Sequence, residues 1–327
     1  MPTVTRTSRS RSLARTLSLA LALVCAPLIA LAQEGAAEQA DAPDNRIITI
    51  DGSGGTQRGN LRSGPIIYEH PDAQGIRATV STLTILGSFV ELSAPEGTSI
   101  SRGGQRVARF QGGVDVERGR LTATGPDLEY DEATGLGVLG EQASVTVAPT
   151  EEGDEPVFIT ADRVAFDVDT DRSTSTGSVH LVNGNQTADA DQLVFEEDAN
   201  LGVLTSAGGQ AVITRLDEDG STMTITADEI RVLTDVNRLY ASGNVTVVDG
   251  SITSTGSIVF FDDETGIAEV IGDGANPARS VDADSGASLV TDRIKQDIEF
   301  DFFEAIDASV PSDFDVAAFT LRGETQE

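Results

Sequence analysis

The stretch "FITADRVAFDVDTDRSTSTGSVHLV", residues 158–182, returns in altered form along the chain, and a recurring unit constrains a fold more than any single residue can. Its relatives are "GPDLEYDEATGLGVLG" from Gly125, "DADQLVFEEDANLGVLTSAG" from Asp189, "TADEIRVLTDVNRLYASG" from Thr226 and "STGSIVFFDDETGIAEVIG" from Ser254. Each holds an apolar pair at alternate positions, an acidic turn, a second alternating run and a closing glycine. With Tyr130, Phe166, Phe195, Val232 and Phe261 taken as equivalent, the steps are 36, 29, 37 and 29 residues. The period alternates, so the larger unit is about 65 residues and contains two versions of one hairpin. Such repetition marks stacked architectures, in which each unit buries a face against its neighbours.

Alternation identifies that face. Strand side chains have a period of two, so Val164 and Phe166 point one way while Ala165 and Asp167 point the other. Leu128 with Tyr130, Leu193 with Phe195, Ile230 with Val232 and Val259 with Phe261 repeat the pattern, giving one apolar stripe across every unit. The connecting stretches "VDTD", "EEDAN", "LTDVN", "DDETG", "VNGN" and "VDGS" are rich in Asp, Asn and Gly, which tolerate the backbone of tight turns. The short connections suit antiparallel neighbours. A parallel β-helix has shorter rungs and needs no acidic turn after each strand. The expected fold is therefore all-β, a meander of antiparallel hairpins folded over on itself.

These stretches, with "ASGNVTVVDGSITSTGSIVFFDDETGIAEVIG" from Ala241, resemble the LptA/OstA family of periplasmic lipopolysaccharide-transport proteins, whose repeats run as an A-D apolar strand, an acidic turn, then G-x-V and a second strand. The likeness extends from Gly113 to Gly272 and is looser from Ile47 to Gly112. It implies a twisted β-jelly roll, open along one side, in one or two consecutive OstA-like units. It also implies an apolar groove that holds acyl chains and would be lined by Leu128, Tyr130, Val164, Phe166, Leu193, Phe195, Ile230, Val232, Val259 and Phe261. The implied partners are an envelope lipid or glycolipid, an inner-membrane export complex with an ATPase, an outer-membrane assembly protein, and further copies stacked head to tail. A conduit of this kind needs neither cofactor nor catalytic residue. Basic residues are few and Lys295 is the only lysine. A phosphate-rich headgroup thus lacks obvious partners, and a different envelope glycolipid suits the chain as well.

The remaining sequence sets the context. Residues 1–32 combine Arg6, Arg9, Arg11 and Arg15 with an apolar run and Ala30-Leu31-Ala32, the pattern of a cleaved secretory signal peptide, and the family resemblance implies the periplasm as the destination. Residues 33–45 read as a flexible acidic linker, 46–112 as an N-terminal β segment or a first unit, 113–304 as the repeated β region, and 305–327 as a closing strand or tail. With 53 acidic against 22 basic residues the net charge is -31, which repels nucleic acid. Cys25 lies within the signal, so no disulfide or thiol chemistry is expected afterwards.

Three motifs that suggest chemistry do not survive their context. "GLGVLG" at 135–140 matches a dinucleotide fingerprint but leads into a strand, not a helix. "DVDTDRSTSTGS" from Asp167 begins like a calcium loop, yet lacks the turn glycine and the closing glutamate. His70 and His180, without partnering cysteines, give no metal signature. The competing function is a structural or adhesive envelope protein whose repeats form a rigid acidic rod.

Overall fold

Three long hairpins organise the chain: Val107–Arg118 with Leu121–Asp131, Arg172–Asn183 with Gln186–Glu196, and Arg238–Asp249 with Ile252–Asp262. Each slips register once, between Gln111 and Val114, between Thr176 and Val179, and between Ser242 and Val245. Two residues there oppose one on the partner strand, the arrangement of a β-bulge, which bends the strand and sharpens its twist. The extra residues are Gly112-Gly113, Gly177-Ser178 and Gly243-Asn244, all with positive φ. Their spacing of 65 and 66 residues is the long period seen in the sequence.

Beyond each bulge the two strands join a second layer. In the first layer, Leu136–Leu139 and Arg163–Asp167 bridge the first hairpin to the second. In the second layer, Ala143–Val147 and Val157–Ala161 do the same. Leu201–Thr205 with Glu229–Leu233, and Ala211–Leu216 with Thr222–Ala227, repeat the plan between the second and third hairpins. One continuous sheet is thereby folded into two facing layers, joined along a bent spine, with two rows of turns forming opposed rims.

The computed structural model describes residues 43–151, 153, 155–217, 220–300, 302–307, 312 and 314–324. The expected signal peptide and residues 33–42 of the expected linker lie outside these. Twenty-five strands are present among the described residues, and every pairing is antiparallel. The fold is all-β, as the alternation predicts. The strands between residues 49 and 93 pair onto the first long hairpin and continue the same two layers. The end of the expected linker is held in place: Asn45 donates to the Asp169 carboxylate at 3.0 Å.

The recurring "TAD" triplet has a local explanation. Asp162 and Asp228 sit where a short strand crosses from one layer to the other, and each backbone N–H donates across the bend to Gly177 or Gly243 at 2.9 Å. Small inward residues make room for the aromatic rings. Phe166 lies in register between Gly137 and Ser173, and Phe195 between Ser173 and Gly202. At the far end, "DFFEA" contributes the edge strand Phe302–Ala305, paired with Arg293–Asp297. Within the expected closing strand or tail, "DVAAFTL" holds a 3-10 turn, Val316–Phe319, capped by the Asp315 carboxylate accepting from the Ala317 N–H. A free strand edge was not needed there, because Phe319 buries itself on the outside of the first layer.

Gly177 and Gly208 share a φ of +77°, but a Cβ at Gly177 would lie 2.9 Å from the Asp162 Cβ, whereas at Gly208 it would meet nothing. Gly208→Ala should cost about 1 kcal/mol for its left-handed backbone, and Gly177→Ala about 1–2 kcal/mol more. Urea denaturation of the two variants measures the difference, and equal losses would remove the spine contact from the account of the bend.

Candidate functional site

The sequence-predicted stripe lies together on the inner face of the first layer. Leu128, Tyr130, Val164, Phe166, Leu193, Phe195, Ile230, Val232, Val259 and Phe261 are each 0–5 % exposed and belong to one apolar cluster. Their strands and those between them number nine, and Ile267–Ile271 and Arg293–Asp297 extend the layer to eleven. At about 4.8 Å per strand the face extends about 50 Å. Opposite stand residues that the repeat alone did not single out, among them Val116, Leu121, Val145, Ile159, Leu181, Ile213, Ile225 and Val247, all buried. They were legible only as ordinary alternation, because their inward positions hold aliphatic residues and share no acidic turn.

The side expected to be open is bridged by polar contacts between the rims. Thr82 donates to the Asp171 carboxylate at 2.7 Å, and Asn183 donates to the Asn237 side-chain oxygen at 3.2 Å. Arg215 pairs with both Asp217 and Asp263. Glu197 accepts from the Arg120 backbone N–H at 2.5 Å, and the Arg120 guanidinium donates to Asn200. Towards the N-terminus a strap does the same work: Arg46 grips Asp169, and Tyr130 donates its hydroxyl to the Arg46 carbonyl at 2.7 Å. Burial, with the Glu132 charge nearby, pushes the Tyr130 phenol well above its ordinary value.

Two charged groups are drawn into the apolar boundary. Glu132 is fully buried, accepting from the N–H groups of Ile48 and Gly104 and from the Arg106 guanidinium. Burial alone would raise its carboxyl, but these hydrogen bonds hold it below the usual range. Arg118, 3 % exposed, lies 5.9 Å from the Phe166 ring centroid. It donates to the Arg172 carbonyl at 3.3 Å and faces Glu197 at 3.6 Å, while its Nε and Nη2 make no hydrogen bond. Burial lowers its affinity for the proton, against the opposing pull of Glu197.

At the C-terminal end the interior turns polar. Ser254 bonds Ser280 and Gln296 at 2.7 Å, and Gln296 reaches Asp249 at 3.3 Å, linking the two layers across the core. Outside the first layer, Leu201, Val203, Leu233 and Phe260 form a second apolar patch covered by Phe314, Phe319 and Leu321. The ion pairs Arg231–Glu324 and Arg322–Glu196 fasten that tail. The remaining motifs resolve as turns and strands. Leu136–Leu139 of the "GLGVLG" stretch is a strand, Asp167 of the calcium-like stretch accepts from the Asp169 N–H within its turn, and His180 sits on a strand beside Asp189 at 2.8 Å.

Residues 158–267 match the family described as LptA/(LptD N-terminal domain) LPS transport protein. Over this stretch the chain is similar to the LptA/LptD N-terminal family. It contains the second and third bulged hairpins and six of the ten predicted stripe residues before Val259, together with Val259 and Phe261 themselves. Among solved structures the chain is similar to LptH of Pseudomonas aeruginosa, described as the LptA homologous periplasmic component of the lipopolysaccharide transport device. The identity is 14% and the TM-score 0.34, over 36% of this chain and 84% of that one. No curated protein matches the chain. The N-terminal strap, Arg118, Arg120 and the C-terminal tail lie outside the LptA/LptD-type stretch.

Two outcomes follow from the buried charges. Arg118→Met should leave stability unchanged or raise it, because desolvation offsets the pairing, whereas Glu197→Gln should cost about 3 kcal/mol by stranding the buried guanidinium. Urea titration of both variants checks this order. The lowered Glu132 carboxyl contributes stability above its unfolded pKa of about 4 that is lost as pH falls through the lower folded value. The urea midpoint should therefore drop below about pH 4, and Glu132→Gln should flatten part of that drop.

Proposed function

We propose that the protein is a non-enzymatic periplasmic carrier in lipopolysaccharide-type transport, sheltering the acyl chains of an envelope lipid or glycolipid between its two sheet layers. The observation that carries this reading is the asymmetry of the interior's two long sides. One side is a bent spine of continuous strands, and the other is closed only by side-chain contacts between rims and straps. Parting the rims exchanges contacts between the layers for contacts with hydrocarbon, so little apolar area need be returned to water. Each methylene removed from water contributes about 0.8 kcal/mol, so a chain of about a dozen gains on the order of 10 kcal/mol before ordering costs. Rim pairs that are partly exposed contribute about 1 kcal/mol or less each.

The family implies supply from an inner-membrane export complex with an ATPase and delivery to an outer-membrane assembly protein. Among the described residues, the edge strands Thr56–Gly59 and Phe302–Ala305 each pair on one side only and suit head-to-tail contact between copies.

A second reading is favoured by one observation. The ten stripe residues are packed at 0–5 % exposure, as the core of a rigid envelope rod would be. A lock distinguishes the two. In a chain with Cys25→Ser, the pair Thr82→Cys and Asp171→Cys can be cross-linked across the rims. Delipidated protein should bind a fluorescent fatty-acyl probe when reduced and lose binding when cross-linked. Failure of the reduced, folded protein to bind the probe would leave the rod.

A further inference from the structure

A cavity of about 180 Å³ opens in the seam between the rims, beside the second long hairpin. From the second layer it is lined by Arg120, Asn183 and Asn185, and from the first by Asn200, Asp235 and Asn237. Its inner wall includes Val147 and Val157, both buried members of the apolar core. The site therefore joins a polar chamber to the interior that would hold hydrocarbon.

The chamber's chemistry is specific. Arg120 spends its guanidinium on the Ala148 carbonyl at 2.6 Å, the Glu197 carbonyl at 3.3 Å and the Asn200 side-chain oxygen. Asp235 and Glu155 add two carboxylates, so an incoming phosphate would meet more negative than positive charge. Uncharged hydrogen-bonding capacity is left over instead. Asn185 donates to the Leu216 carbonyl at 3.1 Å and Asn183 to Asn237 at 3.2 Å. The side-chain oxygens of Asn183 and Asn185 and the side-chain N–H groups of Asn237 make no hydrogen bond among the described residues, leaving acceptors and donors side by side. Hydroxyl groups, which donate and accept at once, match such a lining. Turn geometry accounts for a left-handed residue at Asn200 and Asn237, but neither Asn183 nor Asn185 has positive φ.

We propose that this chamber binds one uncharged sugar ring, the headgroup of a glycolipid whose acyl chain continues past Val147 and Val157 into the interior. The glycolipid part rests on the carrier reading above; the sugar site does not. The cavity has room for a single ring, and its half-buried to exposed polar groups converge beside the apolar wall of Val147 and Val157, so that a few of them fix the ring's orientation.

The test titrates the full chain with methyl glycosides of glucose, galactose and mannose, with octyl β-glucoside below its micelle concentration, and with inorganic phosphate, by ligand-observed and protein-observed NMR. At least one methyl glycoside should bind in the millimolar range, and Asn185→Ala and Asn237→Gly should each weaken it about threefold to tenfold, the loss of one neutral hydrogen bond. Asp235→Asn provides a third probe if either variant unfolds. Octyl glucoside binding at least tenfold more tightly than its methyl counterpart assigns the sugar to a lipid headgroup; equal binding assigns it to a free sugar and removes the lipid half. Phosphate binding as well as any glycoside, or no glycoside binding, overturns the proposal. Because the methyl glycosides carry no acyl chain, their failure leaves the fatty-acyl result untouched, and the reverse holds too.

Discussion

The rest of the structure depends on the bend in three long hairpins. A strand of eleven or twelve residues that stayed straight would give one wide sheet with an apolar face open to water. Inserting two left-handed residues opposite one turns each strand through the spine and brings two apolar faces together. The bends recur every 65 or 66 residues, so every unit turns in the same place. The neighbouring units add to common layers, and the interior becomes continuous from one to the next.

That continuity explains why the repeat is chemically plain. An interior built from alternation asks only that inward positions be apolar, with small residues beside the large rings, as Gly137, Ser173 and Gly202 are beside Phe166 and Phe195. Specific chemistry is confined to the boundary. Along the rims, Arg118, Arg120, Arg215 and the asparagines meet the acidic turns of the other layer. The strong negative charge of the chain is thereby organised: carboxylates crowd the turns, and a small number of arginines tie the two rims together. The polar crossing of Ser254, Ser280 and Gln296 gives the interior an end as well as sides.

The all-β class, the period and the inward face were legible because they follow from local rules. Alternation by two fixes which side chains share a face whatever the sheet does next, and Asp-, Asn- and Gly-rich turns fix where strands reverse. The alternating steps of 36 and 29 residues have a plain cause. Tyr130, Phe195 and Phe261 lie on returning strands of long hairpins, while Phe166 and Val232 lie on the short strands between them. The second layer's face was harder to find, since Val145, Ile159 and Ile213 belong to strands without a shared signature. The form of the tail has a physical reason. "DVAAFTL" alternates like a strand, but its apolar side chains find their partners on the outer patch around Phe260, and no neighbouring strand is required.

By itself, then, the sequence determined a repeating antiparallel sheet with one oily face, because side-chain alternation and turn chemistry act over a few residues. The tertiary structure alone decided that the rims meet, that Arg118 and Glu132 are buried at the boundary, and that a polar chamber opens beside the core. Those features join residues separated by 26 to 89 positions, such as Arg106 with Glu132 and Thr82 with Asp171. Their proximity is set by the twist and bend of whole layers, which no local pattern encodes.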